Sequence, residues 1–397
     1  MKIALVNLIT RTPTRRVVPE IGSNAEAMIV KLALEFKSQG HDVVLYVSDL
    51  YQPGNEEDLG IRIVYLKTLL SGFPEIPLVP GLIAQLRNRY DFVVTSEAFQ
   101  WATIFAVIAR LTSWKRKPRI YVWQELSVHQ RVLKKLPSMI FHQLVLRFCL
   151  DWQIAKYIPR GLRARKFLMA QGIREDKFAE CIPHGVDQRV FFHETSLPRR
   201  PYVLTPARLV QDKGIDTVLE AFRIVRNAGV DIDLLIQGDG PEAARYESLA
   251  GELGLGGHVH FNKQRARHDE MRRLYSNASL TVIASRRDFM LFSVMESLAC
   301  ETPALISDAI DIAEEILEHG GGEVFTCDDH AMLASRMIEF FKNEAIAFSM
   351  KESAVRVSSR YINKTIAQKF IALFQRDGWG STPIGLSNTN SSIRDLR

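Results

Sequence analysis

Short runs of apolar residues alternate with longer amphipathic stretches along nearly the whole chain. The first apolar runs, 3–7, 43–47 and 61–65, are too short for ordinary helices and are typical of buried strands. Between the first two, apolar residues recur every three or four positions over 25–38, which predicts a helix that Ser23 or Asn24 could cap. Strands separated by helices predict parallel sheets that are covered on both faces.

The alternation continues into the middle of the chain and is then interrupted. We predict two further strands and one helix, at 92–95, 119–123 and 101–111. Segment 131–166 is apolar and basic throughout, and we predict a packed helix near 138–152 within it. The cations between Arg160 and Lys166 indicate either contact with acidic lipid head groups or a solvated helix face.

A second alternating series begins at Tyr202. It predicts five strands, at 202–205, 232–237, 259–261, 280–284 and 304–307, and five helices, at 215–228, 242–253, 269–276, 294–300 and 332–343. Proline and polar residues collect at 183–201, which marks the boundary between the two series. We therefore predict an α/β protein of two Rossmann-like, doubly wound domains, 1–190 and 191–357. The tail, 381–397, is rich in Ser, Asn and Thr and predicts disorder.

Composition agrees with two globular domains. The 397 residues are too many for one ordinary core, and 47% are hydrophobic against 24% charged. The net charge of +6 suits an anionic ligand or an anionic membrane surface, or reflects only a solvated basic surface. No nucleic-acid-binding motif accompanies that charge. Four widely spaced cysteines and the absence of a signal-peptide pattern favour reduced thiols in the cytoplasm.

Two cations lie in the loop that opens the second series. Arg208 and Lys213 precede the helix predicted at 215–228, where the helix dipole makes a positive charge unfavourable unless an anion binds. Together with free backbone N–H groups they suit a diphosphate. The alternative is an exposed loop with ordinary surface cations.

Two acids, Asp288 and Glu296, stand eight residues apart after the strand at 280–284. A carboxylate accepts several O–H bonds, so a pair beside a helix start suits a ligand rich in hydroxyl groups. Phosphate and hydroxyl groups together indicate a nucleotide-sugar. Solvated helix caps are the alternative interpretation.

Glycine turns supply further candidate contacts. Gly238, Asp239 and Gly240 form a turn in which backbone can approach a ligand closely, because glycine has no side chain. Gly22, near the first helix, is a candidate phosphate or sugar contact. Both are also common in turns that bind nothing.

Several ordered stretches together resemble one known family. They are IPHGVD at 182–187, ARLVQDKGIDTVLEAF at 207–222, IQGDGPE at 236–242, and the acid pair followed by SLACETPALISD at 297–308. In order and spacing they resemble the retaining glycosyltransferases with the GT-B fold (glycosyltransferase family 4, group 1), over roughly residues 1–375.

The resemblance implies two domains that face each other across a cleft, with a last helix near 358–376 crossing back to the first domain. It implies a donor site in the second domain, where Arg208 and Lys213 neutralise the leaving diphosphate, Asp288 contacts the transferred sugar and Glu296 accepts the ribose hydroxyls. The residues after the first acid, Met290, Leu291 and Phe292, would line the donor pocket. No metal or other cofactor is implied.

The first domain would bind the acceptor, a glycan or a lipid-linked sugar, beside Gln124 and Glu125. The implied reaction is transfer of a sugar with retention of configuration, in cell-surface polysaccharide or glycolipid synthesis, with the protein cytoplasmic or peripheral at the inner membrane face.

The sequence departs from the family pattern at a few places. The first acid is Asp instead of Glu, bulky residues replace a glycine-containing stretch after it, Gln124 stands where many members have His, and Glu301 stands where Gly is common. These departures motivate an alternative: a catalytically weak or inactive nucleotide-sugar-binding protein or partner subunit on the same scaffold. A non-transferase enzyme such as a nucleotide-sugar epimerase is a third possibility.

Overall fold

The structure is a computed structural model that describes most of the chain. The described residues are 1–11, 13, 17–18, 20–55, 58–129, 135–194, 201–264, 266–287 and 292–377. The tail predicted to be disordered, 381–397, lies outside them.

Twelve named strands form two separate sheets. The strands are β1 Lys2–Val6, β2 Asp42–Ser48, β3 Arg62–Leu66, β4 Phe92–Ser96, β5 Arg119–Gln124, β6 Ile154–Pro159, β7 Tyr202–Pro206, β8 Asp233–Gln237, β9 Val259–Asn262, β10 Leu280–Ile283, β11 Ala304–Ser307 and β12 Gly322–Phe325. The orders are β3-β2-β1-β4-β5-β6 and β12-β11-β10-β7-β8-β9. All these pairings are parallel, and each sheet has the doubly wound order, which confirms the predicted fold class.

Helices cover both sheets. The α-helices are α1 Met28–Ser38, α2 Leu82–Leu86, α3 Trp101–Leu111, α4 Lys135–Ile140, α5 Leu162–Ala170, α6 Ile215–Asn227, α7 Ala243–Glu252, α8 His268–Asn277, α9 Phe292–Ala299, α10 Ala313–His319, α11 His330–Lys342, α12 Glu344–Ser358 and α13 Asn363–Arg376. Helix α4 continues as a π-helix, Phe141–Leu150. No helix among the described residues is long and apolar enough to cross a bilayer.

The predicted elements agree with the structure to within a few residues, and the last helix, expected near 358–376, begins at Asn363. Helix α1 begins three residues later than predicted, after Ala27, whose side chain makes no cap hydrogen bond. The Asn24 amide instead donates to Tyr51 O and to the Tyr65 hydroxyl, at 3.1 and 2.9 Å. The predicted cap was therefore wrong, because the Asn24 side chain is used to tie the loop to β3 and its neighbouring turn.

Segment 131–166 contains more elements than the one helix predicted for it. It holds the predicted helix, but also strand β6 and the start of α5. The basic cluster is correspondingly dispersed: Arg160 is only 6% exposed, Arg163 pairs with Asp311 across the domain boundary at 2.9 Å, and Arg165 pairs with Glu175. The predicted lipid-binding patch from Arg160 to Lys166 is therefore not a continuous surface.

Helix α13 returns to the first sheet. Its aromatic residues Phe370 and Phe374 are fully buried in a core cluster with residues of β1, β2 and α1. The ring of Phe374 stacks on Phe92 of β4 with centroids 4.4 Å apart. The C-terminal helix thus completes the core of the N-terminal domain, although it follows the second domain in sequence.

The connection between the two domains passes beside the start of α13. Val186 N donates to Tyr361 O at 2.6 Å, and Asn363 N donates to Val186 O at 3.1 Å. A Cβ on Gly185 would overlap the backbone of Asn363, so only glycine fits at this crossing. The two chain segments that join the domains are therefore fastened to each other.

We predict that Phe374→Ala destabilises the N-terminal domain by about 3–5 kcal/mol, because it leaves a cavity under the first sheet. Chemical denaturation monitored by circular dichroism measures the change. The matched control is Phe348→Ala on α12, where the side chain is 64% exposed and the loss should stay within about 0.5 kcal/mol. Equal losses in the two variants would contradict the role given to α13.

Candidate active site

A cavity of about 490 Å³ lies at the carboxyl edge of the first sheet. Loops after β1, β4, β5 and β6 supply most of its lining, and Phe292 of α9 closes it from the second domain. Its charged lining consists of Arg11, Glu75, Glu97, Glu125, Arg160 and His184. Parallel strands place their following loops at one edge, which is why residues so distant in sequence meet here.

Arg160 forms the buried centre of this cavity. Its guanidinium pairs with Glu125, and its Nη1 lies 2.7 Å from Nε2 of His184. It also stacks over Trp123, 4.2 Å from the ring centre. Among the described residues, none accepts a hydrogen bond from the buried Nε atom of Arg160. This ion pair fixes the position of Glu125 in the cavity wall.

The charge of Arg160 lowers the pKa of both of its ionisable neighbours, Glu125 and His184. Burial would raise the pKa of Glu125, but the charges of Arg160 and the His184 contact outweigh it and lower that pKa to about 2. Burial and the Arg160 charge lower the pKa of His184 to about 4. At neutral pH Glu125 is therefore an anion and His184 a neutral imidazole.

Glu97 is a site residue that the sequence analysis missed. It follows β4 with φ at +66°, a conformation that is strained for a residue with a side chain. Its carboxylate accepts the backbone N–H of Glu125 at 2.9 Å and of Leu126 at 3.3 Å. Burial raises its pKa to about 7, against the opposing charge of Arg160. The available signal was its place at a strand end, where site residues of doubly wound folds lie.

Gln124 does not present its amide to the cavity. It is 1% exposed, its Oε1 accepts Ala98 N at 2.8 Å, and its Nε2 donates to Leu126 O at 2.9 Å. Both ends of the amide are therefore used to join the loops after β4 and β5. The expectation that an acceptor binds beside Gln124 and Glu125 stays a prediction.

In the second domain, the loop after β7 carries Arg208, which is exposed, and Lys213, which is partly buried. Gly214 closes this loop with φ at +61°, and a Cβ there would collide with Ala284 O. The loop is thus pressed against the end of β10, the strand that leads to the predicted acid pair.

Gly238 and Gly240 pack against the protein's own backbone, and their contact with a ligand stays a prediction. Their missing side chains make room for the backbone of the β7 loop, because a Cβ on either residue would overlap Ala207 O or Leu209 O. Asp239 O accepts Leu209 N at 3.0 Å. The glycines therefore allow two loops of the protein to pack together, and the close approach is to the protein's own backbone.

A second cavity, of about 650 Å³, opens beside these packed loops. Its lining includes Arg208, Gly238 and Asp239, together with Lys263 and Met271. Two of the three candidate residues of the glycine turn and one of the predicted cations therefore share one cavity.

Arg286 was also missed, and it holds the cation-bearing loop in place. Its guanidinium pairs with Asp216 at 2.9 Å and Asp328 at 2.7 Å, and donates to Gln211 O at 2.6 Å. Its backbone N–H donates to Asp212 O at 2.8 Å. A single arginine thus ties the segment after β10 to the residues on both sides of Lys213.

Glu296 lies in the second turn of α9 and not at the helix start. Burial raises its pKa to about 7, while a hydrogen bond from the buried Tyr275 hydroxyl to Oε2, 3.1 Å long, opposes the rise. The charge of Lys31, on the N-terminal domain, also opposes the rise in the pKa of Glu296. The carboxyl group is therefore held by Tyr275 on one side and faces the other domain.

The remaining candidates divide into three groups. Phe292 reaches the first cavity, where its ring lies 5.2 Å from that of His184. Gly22 is exposed and does not line either cavity, so its ligand contact stays a prediction. Asp288, Met290 and Leu291 lie outside the described residues.

Within the part of the chain that the structure describes, no group of three His, Cys, Asp or Glu side chains is arranged to hold a metal ion.

Comparison with known proteins bears on the second domain most directly. Residues 187–357, less than half of the chain, match the family model of the glycosyl transferases group 1. An exopolysaccharide phosphotransferase of Streptomyces coelicolor is 29% identical over 196 residues, which cover 49% of this chain but only 20% of that protein. The N,N'-diacetylbacillosaminyl-diphospho-undecaprenol alpha-1,3-N-acetylgalactosaminyltransferase of Campylobacter jejuni is 22% identical over 343 residues, 80% of this chain and 87% of that protein.

Among solved structures, Anabaena HepE in complex with UDP has a TM-score of 0.72 at 16% identity, with 95% of this chain and 100% of that chain covered. The chain has the GT-B fold. Identity this low carries the likeness no further than the fold. The GT-B architecture explains why the two cavities open at the carboxyl edges of two facing sheets.

The buried carboxyl group of Glu97 makes the free energy of unfolding depend on pH. Because the folded pKa is raised above the unfolded value of about 4.3, the native state binds the proton more tightly and loses stability as pH rises from about 4 to 7. We predict that Glu97→Gln gains stability relative to the wild type between pH 5 and pH 8, on the order of 2 kcal/mol. Urea unfolding at both pH values measures the difference.

The matched control is Glu175→Gln, where the carboxylate is 61% exposed and pairs with Arg165 at the surface. Its difference from the wild type should hardly change over the same pH range. If the difference in free energy of unfolding between Glu97→Gln and the wild type did not change with pH, the raised pKa of Glu97 would be contradicted.

Proposed function

We propose that the protein is a retaining glycosyltransferase. It moves a sugar from a nucleotide-diphosphate sugar to a hydroxyl of a glycan or lipid-linked acceptor, in the synthesis of a cell-surface polysaccharide or glycolipid. The observation that carries the proposal is the 650 Å³ cavity beside Arg208 in a segment that matches the glycosyl transferases group 1. The Campylobacter relative, named for transfer to an undecaprenol-linked sugar, supports a lipid-linked acceptor.

The donor would bind to the second domain. The cavity between Arg208, Asp239 and Met271 has the volume of a small-molecule site and suits the nucleoside. Glu296, held by Tyr275, would accept the ribose hydroxyls, and it does so best when ionised. Arg208 and Lys213 would lie against the diphosphate, and Asp288 against the transferred sugar.

The chemistry requires charge stabilisation at the leaving group. As the bond between the sugar and the diphosphate breaks, negative charge grows on the phosphate oxygens and positive charge on the anomeric carbon. Two cations fixed before the transition state stabilise the phosphate without any reorganisation. The contacts of Arg286 with Gln211 and Asp216 support such a fixed position for Lys213.

The acceptor would bind to the cavity of the first domain. Glu125 is an anion there and Glu97 ionises near neutral pH, so both suit hydrogen bonds from sugar hydroxyls. Phe292 links the two sites, since it belongs to the donor domain and lines the acceptor cavity. An attacking hydroxyl held in this cavity would meet the donor across the cleft.

A panel of nucleotide-sugars separates the enzyme from a binding protein on the same scaffold. Donor hydrolysis or transfer to an added glycan supports the enzyme, and binding without turnover supports the alternative. We propose that no divalent ion is required, so the rate should be unchanged by EDTA. We also propose a cytoplasmic location, which fractionation of cells tests.

We predict that Lys213→Ala lowers turnover on the order of 100-fold, because a cation is lost from the developing diphosphate. The measurement is nucleotide release under saturating donor, with thermal unfolding as the test of folding. Lys351→Ala on exposed α12 is the matched control and should retain full turnover. Normal turnover in Lys213→Ala would remove the diphosphate role from this residue.

A further inference from the structure

An exposed apolar ridge runs along the N-terminal domain. Five side chains, each four residues after the last, are 47–66% exposed: Leu136, Ile140, Leu144, Phe148 and Trp152. Leu136 and Ile140 belong to α4, and the π-helix that follows carries Leu144 and Phe148 while it buries Phe141, Leu146 and Leu150. A helix that places aromatic and aliphatic side chains in solvent on one face and packs with the other is typical of an interaction surface.

The ridge ends beside a second group of exposed aromatic and basic residues. The loop after α3 contains the exposed Trp114, followed by exposed Lys115, Arg116 and Lys117. The two segments touch, since Arg110 Nε donates to Gln153 Oε1 at 2.9 Å. We call the ridge together with residues 110–119 and 152–156 the far face, because its Trp152 end lies at the amino edge of the first sheet, while its Leu136 end extends toward the cleft.

A cavity of about 280 Å³ opens at the Trp152 end of the far face. Arg110, Arg119 and Lys156 line it, with Trp152 at its side and Asp377 as its acid. Arg119 begins β5 and Ile154 begins β6, so the cavity lies at the edge of the sheet that carries no catalytic loop. Burial and the charge of Arg119 lower the pKa of Arg110, which indicates that the cations repel each other.

Positive charge exceeds negative charge on this face. Asp91 pairs with Arg116 at 3.3 Å, and Asp377 accepts the Tyr121 hydroxyl at 2.5 Å. Asp151 pairs with Lys177 at 3.9 Å, and Asp176, whose backbone O accepts Lys156 Nζ at 2.5 Å, pairs with Arg174 at 3.1 Å. Exposed tryptophan, aliphatic side chains and exposed lysines together match the interface of an anionic bilayer, where rings enter the head-group layer and cations face phosphates.

We propose that the far face docks on an anionic lipid bilayer, with the ridge in the head-group layer and a lipid phosphate in the cavity between Arg110, Arg119 and Lys156. The surface differs from the Arg160–Lys166 cluster, whose members are turned into the protein or across the domain boundary. Docking does not depend on the proposed transfer reaction.

Docking through the far face would also place the acceptor cleft relative to the bilayer, and this step rests on the proposed function. The Leu136 end of the ridge lies near the acceptor cavity, because His129 Nδ1 is 3.2 Å from Ser138 Oγ and Leu126 lines the cavity. A protein lying on the far face would therefore hold its acceptor cleft beside the bilayer. Such an arrangement suits an acceptor whose sugar is attached to a lipid.

The test is co-sedimentation of the full chain with phosphatidylcholine vesicles, with and without phosphatidylglycerol, at low and high salt. We expect binding to the anionic vesicles that weakens with salt. Lys115→Gln/Lys117→Gln should weaken the partition roughly thirtyfold, since two cations leave the surface. Phe148→Ala should weaken it on the order of tenfold, because an apolar ring leaves the head-group layer.

The controls are matched in exposure and lie on another domain. Phe348 is 64% exposed against 66% for Phe148, so Phe348→Ala should leave the partition unchanged. Lys351→Gln is the control for charge. Arg119→Gln tests the cavity, and it should weaken the partition onto anionic vesicles more than Lys351→Gln does. Thermal unfolding verifies that each variant is folded.

Absence of binding to anionic vesicles at low salt would overturn the proposal, as would equal binding to neutral vesicles. Equal losses in the far-face variants and their controls would overturn it as well. Binding with no turnover on any nucleotide-sugar would retain the docking surface and reject the transferase.

Discussion

The structure depends on one constraint, the fastening of the two domain connections to each other at Gly185 and Asn363. Each parallel sheet sends the loops that follow its strands to a single edge, and the crossing holds those two edges opposite each other. Helix α13 then completes the first core after the chain has built the second domain. Without the crossing, the loops that bear Arg208 and Glu125 would belong to two unrelated surfaces.

Within the cleft, buried charge has a positioning role. Arg160 is almost inaccessible to solvent and is compensated by Glu125, by the neutral His184 and by the face of Trp123. Such a buried pair contributes little net stability, because desolvation offsets the attraction. It does hold one carboxylate ionised, while Glu97 close to it ionises only near neutral pH. Two carboxylates of different acidity thus face one cavity.

The sequence predicted the architecture well and the site only in part. Strong periodicity identified most strands of both sheets, whereas β12 was missed because its four residues include Gly322 and Glu323, which do not follow an apolar pattern. The strained φ of Glu97 and the side-chain contacts of Gln124 depend on tertiary packing, which no local pattern reports. The glycine turn was located correctly, but its packing against the loop after β7 depends on tertiary structure. Glu301, in place of a common Gly, has φ at +63°, which explains why Gly is favoured there.

The central claim is that the second-domain loops hold a nucleoside diphosphate, and a crystal structure with bound nucleotide tests it most directly. Crystals would be grown with whichever of UDP or GDP binds more tightly in calorimetry. We expect the base in the 650 Å³ cavity, the ribose hydroxyls on Glu296 and the phosphates within hydrogen-bond distance of Arg208 and Lys213. A nucleotide bound elsewhere, or phosphates out of reach of both cations, would contradict it.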